Sequence, residues 1–203
     1  LDADVLVTLE SLNAFIADNG PLPERYPGVV NRARYVYTGN WLWTDLPVLD
    51  GGKIDVDGDS PGQVWARLDL GGGATLDVLG LHFRRPVFEP QEAQIAGLPA
   101  SLPGDLGRPL VALGDFNATP WSAAVRRVAD ALDLSVVGGL RFTWRGRDAP
   151  GPFGRLLSLP IDHVLVEDGI GVSDVRTAPI PGSDHRAVVA RVAVPVRASG
   201  AGG

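Results

Sequence analysis

The sequence contains no cysteine and no methionine among its 203 residues. The absence of cysteine excludes disulfide bonds, zinc-thiolate sites and thiol nucleophiles. It permits a location outside the cytoplasm without showing one. No apolar run approaches the roughly 18 residues that span a bilayer, and no signal-peptide pattern opens the chain. Because the chain begins at Leu1 and lacks methionine, we expect that a preceding segment has been removed.

Positive charge is also scarce. The formal net charge is −6, and Lys53 is the only lysine. Proteins that grip the nucleic acid backbone usually carry a basic stripe on one face. The composition therefore argues against such a surface, although Arg84 and Arg85 follow His82 and three further arginines surround Trp144. Nucleic acid is the less favoured partner.

Hydrophobic residues make up 45% of the chain, which is enough for one sizeable core. We predict a single domain over residues 1–196, followed by a disordered tail over 197–203 that is rich in glycine and alanine. We detect no internal repeat and no interdomain linker. We expect a monomer, although the sequence does not determine the oligomeric state.

Short apolar segments alternate with glycine- and proline-rich turns, which predicts an α/β fold with much sheet. We predict helices over 11–20, 89–98 and 122–132, of which the first is capped by Ser11 and the last by Ser122. Residues 145–156 are expected to form a surface loop. The predicted strands are 5–10, 63–70, 75–83, 109–113, 134–138, 141–144, 161–167, 171–178 and 185–194.

Carboxylates and histidines cluster at the ends of these predicted strands. A charged group beside an apolar strand must be paired or bound to a cation, because leaving it desolvated costs several kcal/mol. Since no lysine is near, a divalent ion is indicated, and oxygen ligands without thiolates suit Mg²⁺ or Mn²⁺. His185 can take a proton from water if Asp162 or Asp184 fixes its tautomer. The residues concerned are Glu10, His82, Asp115, Asn117, Asp162, Asp184 and His185.

The same residues also allow simpler interpretations. Asp115 and Asn117 can form an Asx turn ahead of the helix at Ser122. Glu10 can be an ordinary acid at a strand end. Asp162 can be the structural partner of an arginine. His82 and His163 can be core histidines.

Five segments taken together carry a resemblance to a known family. ADVLVTLES, LHF, GDFNATP, IDHVLV and SDHRAV occur in this order from about residue 3 to residue 192. They resemble the endonuclease/exonuclease/phosphatase superfamily, of which deoxyribonuclease I is the best-known member. The resemblance implies a four-layer α/β/β/α sandwich with two mixed β-sheets. It also implies a site at one edge, where strand ends from both sheets converge.

The resemblance assigns a role to each matching residue. His185, partnered by Asp162, is implied to contact the phosphate, and Asp115 to orient or activate the attacking water. As further implied roles, Asn117 and His82 bind the scissile phosphate, Glu10 ligates the metal, and Asp184 supports the metal or the histidine. We expect Asp115 and Asn117 to address one phosphate because residues i and i+2 of an extended strand face the same side.

Two departures from the family pattern stand out. Family members have an upstream first strand with an asparagine at the metal site, which this chain begins too late to include, so we expect weak or absent activity without it. Asp45 stands where many relatives carry a serine-arginine pair. We therefore expect the site to lack a positive group there.

A narrower resemblance is to a bacterial subgroup. GDFNATPWS, a TW pair followed by a loop, and RLLSLPIDHVLV are similar to a subgroup in which this domain follows transmembrane helices and faces outward. Some of its members act on lipid-linked pyrophosphate. The resemblance implies an extracytoplasmic domain of a bacterial membrane protein. As its function, we predict a metal-dependent phosphoesterase acting on a phosphodiester or pyrophosphate, with a lipid-linked substrate among the candidates.

Two alternatives stay open at this point. A nuclease acting on DNA or RNA would use the same site residues, and the acidic balance counts against it. A catalytically silent binding domain on the same scaffold is the second alternative, and the full set of site residues counts against that.

Overall fold

The structure is a computed structural model that describes residues 2–12, 22–31, 38–56, 62–86, 91–145 and 158–195. Three helices lie within these residues: α1 (Leu22–Arg25), α2 (Gln91–Ser101) and α3 (Ala123–Leu132). The strands are β1 (Val5–Leu12), β2 (Gly28–Asn31), β3 (Thr38–Thr44), β4 (Val48–Ile54), β5 (Gln63–Gly71), β6 (Ala74–His82), β7 (Leu110–Asp115), β8 (Ser135–Val137), β9 (Trp144–Arg145), β10 (Ser158–Leu159), β11 (Asp162–Val166), β12 (Gly171–Pro179) and β13 (Arg186–Ala193).

A mixed six-stranded sheet forms the centre of the fold, in the order β4-β5-β6-β7-β11-β8. β6 and β7 are parallel, and the other neighbours are antiparallel. The hairpin predicted from the alternation of 63–70 and 75–83 is confirmed as β5 and β6. Because side chains alternate between the faces of a strand, Val64 and Leu68 enter one core while Trp65 enters the other.

Both faces of this sheet are covered. Helices α2 and α3 pack on one face. The three-stranded sheet β1-β3-β2 and the β12-β13 hairpin pack on the other. On the outer face of the three-stranded sheet, Tyr26 packs with Trp43, whose ring stacks on Trp41 at 5.1 Å. The α/β/β/α fold class predicted from the sequence is confirmed.

Helix α3 illustrates how local sequence sets an element. The Oγ of Ser122 accepts a hydrogen bond from the Val125 N–H at 3.1 Å, and Asp133 ends the helix in a left-handed conformation. Val125, Val128 and Leu132 share the buried face at helical spacing. The predicted helix over 122–132, with its cap, is therefore confirmed.

The predicted helix cap at Ser11 is wrong. Ser11 belongs to β1 and pairs with Gly39, because β1 continues beyond a bulge at Glu10 instead of ending there. The rest of that predicted helix, 13–20, lies outside the described residues. The helix predicted over 89–98 is found as Gln91–Ser101, and the strand predicted over 141–144 is confined to Trp144–Arg145.

Asp45 is not near the predicted site. Val5 pairs with Thr44, so Asp45 lies beyond the end of β1 that is opposite to Glu10. The expectation that this residue removes a positive group from the site is therefore wrong. The loop predicted at 145–156, after its first residue, and the tail over 197–203 lie outside the described residues. In the described part of the chain, no helix combines the length and apolarity that crossing a membrane requires.

Candidate active site

Three neighbouring strands present polar side chains at the same edge of the central sheet. His82 ends β6 and lies opposite Asp115, which ends β7. β11 runs antiparallel to β7 and begins with Asp162, also opposite Asp115. Directly opposed residues on neighbouring strands lie about 5 Å apart on the same face of a sheet. The strand register alone therefore places one imidazole and two carboxylates in a row.

A glycine makes this row possible. The residue before Asp115 is Gly114, with φ of 147°. A Cβ at this position would lie 1.9 Å from the carbonyl oxygen of Leu81 on β6. Since no side chain fits in that space, β6 and β7 approach closely at their ends only because Gly114 has none.

The imidazole of His185 joins the row from outside the sheet. Its Nδ1 lies 3.0 Å and 3.2 Å from the two carboxylate oxygens of Asp162. Its Nε2 lies 3.9 Å from Oδ2 of Asp115. The hydrogen bond to Asp162 assigns the Nδ1 proton and turns Nε2 toward Asp115. The pairing of Asp162 with His185 that the family resemblance implied is present in the geometry.

The surroundings raise the pKa of both Asp115 and His185. Burial, and then the negative charge of Asp162, raise the pKa of Asp115 to about 7, against a hydrogen bond from the Asn117 N–H and the charge of His185. For His185, burial lowers the pKa, but the hydrogen bond and charge of Asp162 outweigh it and the pKa is raised. Asp115 can therefore exchange a proton near neutral pH.

A buried threonine holds the Asp162 and His185 segments together. The Oγ1 of Thr143 accepts hydrogen bonds from the backbone N–H groups of Ile161 at 3.2 Å and Asp162 at 3.1 Å. Its backbone carbonyl accepts from the N–H of Arg186 at 2.7 Å. Sequence reasoning missed Thr143, because its partners are 18 to 43 positions away and no local pattern encodes them.

Glu10 reaches the same site from the other sheet. It sits in the bulge of β1 with φ of 50°, a conformation that non-glycine residues rarely adopt. Its N–H donates to Oδ1 of Asn40 at 3.2 Å, and Nδ2 of Asn40 donates to the Gly62 carbonyl at 3.1 Å. The buried Asn40, also missed from the sequence, therefore fixes the bulge. The Glu10 side chain is 64% exposed, and its Oε1 lies 3.7 Å from Nε2 of His82.

His82 is buried at the end of β6, and burial, opposed by the charge of Glu10, lowers its pKa. The side chain of Gln63 bonds both to the backbone carbonyl of His82, at 2.8 Å, and to its N–H. The Nδ1 of His82 has no hydrogen-bond partner among the described residues. The neutral ring thus faces Glu10, and its contact with phosphate stays a prediction.

Asn117 does not continue the strand. β7 ends at Asp115, and Asn117 has a left-handed φ of 47°. Its backbone N–H donates to Oδ1 of Asp115 at 2.7 Å, which is the Asx turn that the simpler interpretation predicted. The argument from an extended i, i+2 pair is therefore wrong. Nδ2 of Asn117 donates to the Phe83 carbonyl at 2.8 Å. The second amide proton and Oδ1 take no part in this hydrogen bond and can contact a ligand.

Asp184 is anchored beside the histidine. Its Oδ2 accepts a hydrogen bond from Nε1 of Trp144 at 3.2 Å, and its carbonyl accepts from the N–H of Arg145 at 3.0 Å. The charge of Asp184 contributes to the raised pKa of His185, as the charge of Glu10 does to that of Asp115. The predicted site residues therefore act on one another electrostatically in a single site.

His163 plays a different part. Its buried ring lies edge-on to Phe116 at 5.3 Å, and Nε2 bonds to the Ala118 carbonyl at 2.8 Å. The side chain faces the core and not the row of strand ends, because it is one residue out of phase with Asp162. This agrees with the structural role that the sequence favoured.

A divalent cation fits the donor set. Among the described residues, Asp115, Asp162 and His185 offer ligand atoms that lie within 4.8 Å of one another. Burial and then the negative charge of Asp162 raise the pKa of Asp115, and a nearby cation would offset both effects. Within the described ranges, the ionisable nitrogens close to these carboxylates belong to histidines, the neutral His82 beside Glu10 and His185 beside Asp115 and Asp162. The predicted ligands Glu10 and Asp184 are not in this group of three, and their role as ligands stays a prediction.

Solved structures with this fold include proteins of several kinds. An endonuclease/exonuclease/phosphatase from Bacteroides vulgatus superposes with a TM-score of 0.73 at 18% identity, over 95% of this chain and 85% of its own. The 3'-5' exonuclease NExo of Neisseria meningitidis gives 0.69 at 21% identity, over 93% and 88%. Sphingomyelinase C of Streptomyces griseocarneus gives 0.63 at 17% identity, over 93% and 86%.

The sequence comparison agrees with the fold. No curated protein sequence matches the chain significantly. The Endonuclease/Exonuclease/phosphatase family matches residues 1–185, a span that includes every site residue from Glu10 to His185. The chain therefore belongs to the Endonuclease/Exonuclease/phosphatase family of phosphate-ester hydrolases.

Proposed function

We propose that this protein hydrolyses a phosphodiester or a pyrophosphate with water as the nucleophile and Mg²⁺ or Mn²⁺ as the cofactor. The observation that carries the proposal is the row of Asp162, His185 and Asp115, in which a fixed imidazole faces a carboxylate whose pKa is about 7. Such a pair can position and deprotonate a water beside a phosphate.

The proposed reaction forms one bond and breaks one. The water oxygen bonds to phosphorus, and the bond from phosphorus to the leaving oxygen breaks. Asp115 accepts the proton of the attacking water, and the leaving oxygen takes a proton from solvent. His185, held by Asp162 and protonated because that carboxylate raises its pKa, donates a hydrogen bond from Nε2 to a phosphate oxygen and so stabilises the charge that develops there.

The cation would supply charge neutralisation at the phosphate oxygens. Glu10 is the first candidate to hold it, because its carboxylate is exposed and its backbone is fixed by Asn40. Asp184 is the second candidate, although one of its oxygens is engaged by Trp144. Asp162 lies close enough to Asp115 and His185 to share an ion with them, but it is less suited than Glu10 because His185 bonds to both of its oxygens.

A lipid-linked substrate and an extracytoplasmic location extend this proposal. They are supported by the resemblance to the membrane-associated bacterial subgroup, and the acidic net charge of −6 counts against nucleic acid as the substrate. The likeness of the fold to a sphingomyelinase is compatible with both. The monomeric state likewise stays a prediction.

A nuclease is the second candidate function, because the fold is also that of an exonuclease at 21% identity. Nicking of supercoiled plasmid tests it, and low salt is the most sensitive condition, since binding to the phosphate backbone is strongest there. We expect little nicking. Efficient nicking at low salt would favour the nuclease over the lipid-linked substrate.

Hydrolysis of bis-p-nitrophenyl phosphate tests the proposal itself. We expect turnover of the full-length protein with Mg²⁺ or Mn²⁺ that is lost on chelation and falls at least about a hundredfold in Asp115→Ala and His185→Ala. Asp45→Ala removes an exposed carboxylate at the far end of β1 and should leave the rate unchanged. Absence of turnover in the full-length protein, with the metal bound, would support a catalytically silent binding domain instead.

A further inference from the structure

We propose that a cleft beside His185 binds the organic group esterified to the phosphate, and that this group is apolar. The assignment rests on the proposed phosphoesterase function, which it deepens by naming a substrate class. The class is a phosphate ester of an alkyl or aryl alcohol. The residues that select it are Phe142 and Ile180.

The cleft is continuous with the catalytic row. Its volume is about 320 Å³, near the lower end of the roughly 300–1,000 Å³ typical of small-molecule sites. One wall is the segment 142–145, and the opposite wall is the turn that leads from Pro179 into Ser183. Asp184 and His185 also line it. His185 is shared by the cleft and the catalytic row, so a phosphate held at His185 has room for one of its ester groups in this space.

Two large apolar side chains face this cleft while remaining exposed. Phe142 is 51% exposed and Ile180 is 42% exposed, and both line the cleft together with Trp144 and Pro179. Single exposed apolar residues are ordinary, but a group of them at a concave site indicates binding. Of the seven exposed large apolar side chains in the described ranges, Phe142 and Ile180 line this cleft, and a third, Leu159, directly follows the lining residue Ser158.

Several polar groups of the cleft already have partners. Nε1 of Trp144 donates to Asp184, Oγ of Ser183 accepts from the His185 N–H, and the Nε of Arg186 donates to Thr177. A sugar would therefore find these groups already engaged, and leaving its hydroxyl groups unpaired is costly. An apolar group loses no hydrogen bonds and covers Phe142 and Ile180. The Arg145 side chain in the same lining suits an anionic group beside the apolar one.

A chain-length series measures this preference. Alkyl p-nitrophenyl phosphate diesters from methyl to octyl release the same p-nitrophenolate and differ only in the length of the alkyl chain. We expect kcat/KM to rise about two- to fourfold per methylene until the cleft is filled, which is the gain for burying apolar surface. In Phe142→Ser and Ile180→Ser, the ratio of octyl to methyl kcat/KM should fall at least about fivefold.

Leu49→Ser is the matched control. Leu49 is 55% exposed on β4 and does not line the cleft, so its ratio of octyl to methyl rates should equal that of the wild type. A wild-type ratio near one, or a nucleoside p-nitrophenyl ester hydrolysed faster than the octyl ester, would overturn the proposal.

Binding separates this assignment from the function on which it rests. Calorimetric titration of the metal-loaded full-length protein with octylphosphonate and methylphosphonate, which cannot be hydrolysed, should give tighter binding of the octyl compound, and Ile180→Ser should reduce the difference. Tight binding of the octyl compound without hydrolysis of any ester would refute catalysis and keep the apolar site. Hydrolysis with equal affinity for both phosphonates would refute the apolar site and keep catalysis.

The natural source of the apolar group can be a soluble ester or a lipid in a bilayer. Comparing the octyl ester below its micelle concentration with the same ester in phosphatidylcholine vesicles distinguishes them. A higher rate on vesicles identifies a bilayer lipid, and an equal or lower rate identifies the free ester. Both results support an apolar group in the cleft.

Discussion

Two buried carboxylates lie at opposite ends of the paired strands β6 and β7, and they differ in their hydrogen-bond and ion-pair partners. Asp77 is 1% exposed and Asp115 is 7% exposed. Asp77 accepts two hydrogen bonds from the guanidinium of Arg67, at 2.9 Å and 2.8 Å, and one from the Gly107 N–H. Asp115 accepts one from the Asn117 N–H, and its nearest cationic group is His185 at 3.9 Å.

The difference separates a structural charge from a functional one. The charge of Asp77 is neutralised within the fold, and its hydrogen bond raises the pKa of Arg67. No arginine or lysine pairs with Asp115 among the described residues, and burial together with the charge of Asp162 raises its pKa. A buried charge without a partner costs free energy, and such cost concentrates at functional sites. Burial alone therefore does not identify the catalytic carboxylate.

The strongest test of this comparison is Asp115→Asn. The amide keeps the shape but cannot accept the proton of water, so kcat should fall about a thousandfold with bis-p-nitrophenyl phosphate. Circular dichroism and melting temperature should show an intact fold. A variant that keeps more than a tenth of the activity would remove Asp115 from the proposed role.

Asp77→Asn should have the opposite outcome. Asp77→Asn leaves Arg67 with the exposed Asp105 as its remaining carboxylate partner, so the free energy of unfolding in urea should fall by about 3 kcal/mol. kcat of the folded protein should stay within about twofold. The control is Asp105→Asn, which removes the exposed partner of Arg67 and should cost less than about 1 kcal/mol. A similar loss in both variants would contradict the assignment of Asp77 as the structural charge.

Thr143→Val tests whether the neutral acceptor Oγ1 of Thr143 holds the active-site charges in place. The valine leaves the N–H groups of Ile161 and Asp162 without their acceptor, which frees the Asp162–His185 pair. We expect kcat to fall about 10- to 100-fold with little change in KM, since small misplacements of reacting groups are costly. NMR titration should show the pKa of His185 moving down.

The conservative variant Thr143→Ser keeps the hydroxyl and should restore kcat and the His185 titration. If Thr143→Val lowers stability while kcat and the pKa of His185 stay at wild-type values, Thr143 is a core residue and not a positioning one.

The smallest effect concerns pH and stability. The raised pKa of Asp115 means that the folded protein binds this proton more tightly than the unfolded chain. Between the usual aspartate pKa near 3.8 and about 7, this group therefore makes the fold less stable as pH rises. Without metal, Asp115→Asn should become more stable than the wild type by about 1 kcal/mol or more at pH 7.5, and this difference should shrink toward pH 4.

Adding Mg²⁺ to the same stability measurement tests whether Asp115 contributes to binding the cation. Saturating Mg²⁺ should stabilise the wild type by binding the folded state and should have less effect on Asp115→Asn. Each kcal/mol corresponds to roughly 2–4 °C in melting temperature for a chain of this size. An equal rise in melting temperature of both proteins with Mg²⁺ would show that the charge of Asp115 does not contribute to binding the cation.

Much of the fold follows from local sequence. Alternation in β5 and β6 and the Ser122 cap of α3 are local signals, and both predictions are confirmed. The helix cap at Ser11 is wrong because β1 pairs with β3 through a bulge, and that pairing is tertiary. The expectation for Asp45 is wrong for the same reason, since only strand register fixes which end of β1 it occupies.

The site residues likewise divide into those that the local sequence reveals and those that depend on tertiary contacts. Charged residues in apolar surroundings are visible in the sequence, so the carboxylates and histidines of the site could be named. Asn40 and Thr143 could not, because each is a single polar residue whose partners lie far away in the chain. The left-handed turn at Asn117 was visible only as an alternative, since the spacing of Asp115 and Asn117 suits an extended strand as well as an Asx turn.

Gly114 has a consequence for mutational scanning. In a library that samples every amino acid at each position, position 114 should tolerate substitution as poorly as position 115, although it supplies no atom to the chemistry. A screen that reads only survival or turnover would class both as catalytic. Separating them requires a measure of folded protein abundance, by which replacements of Gly114 should be depleted and Asp115→Asn should not.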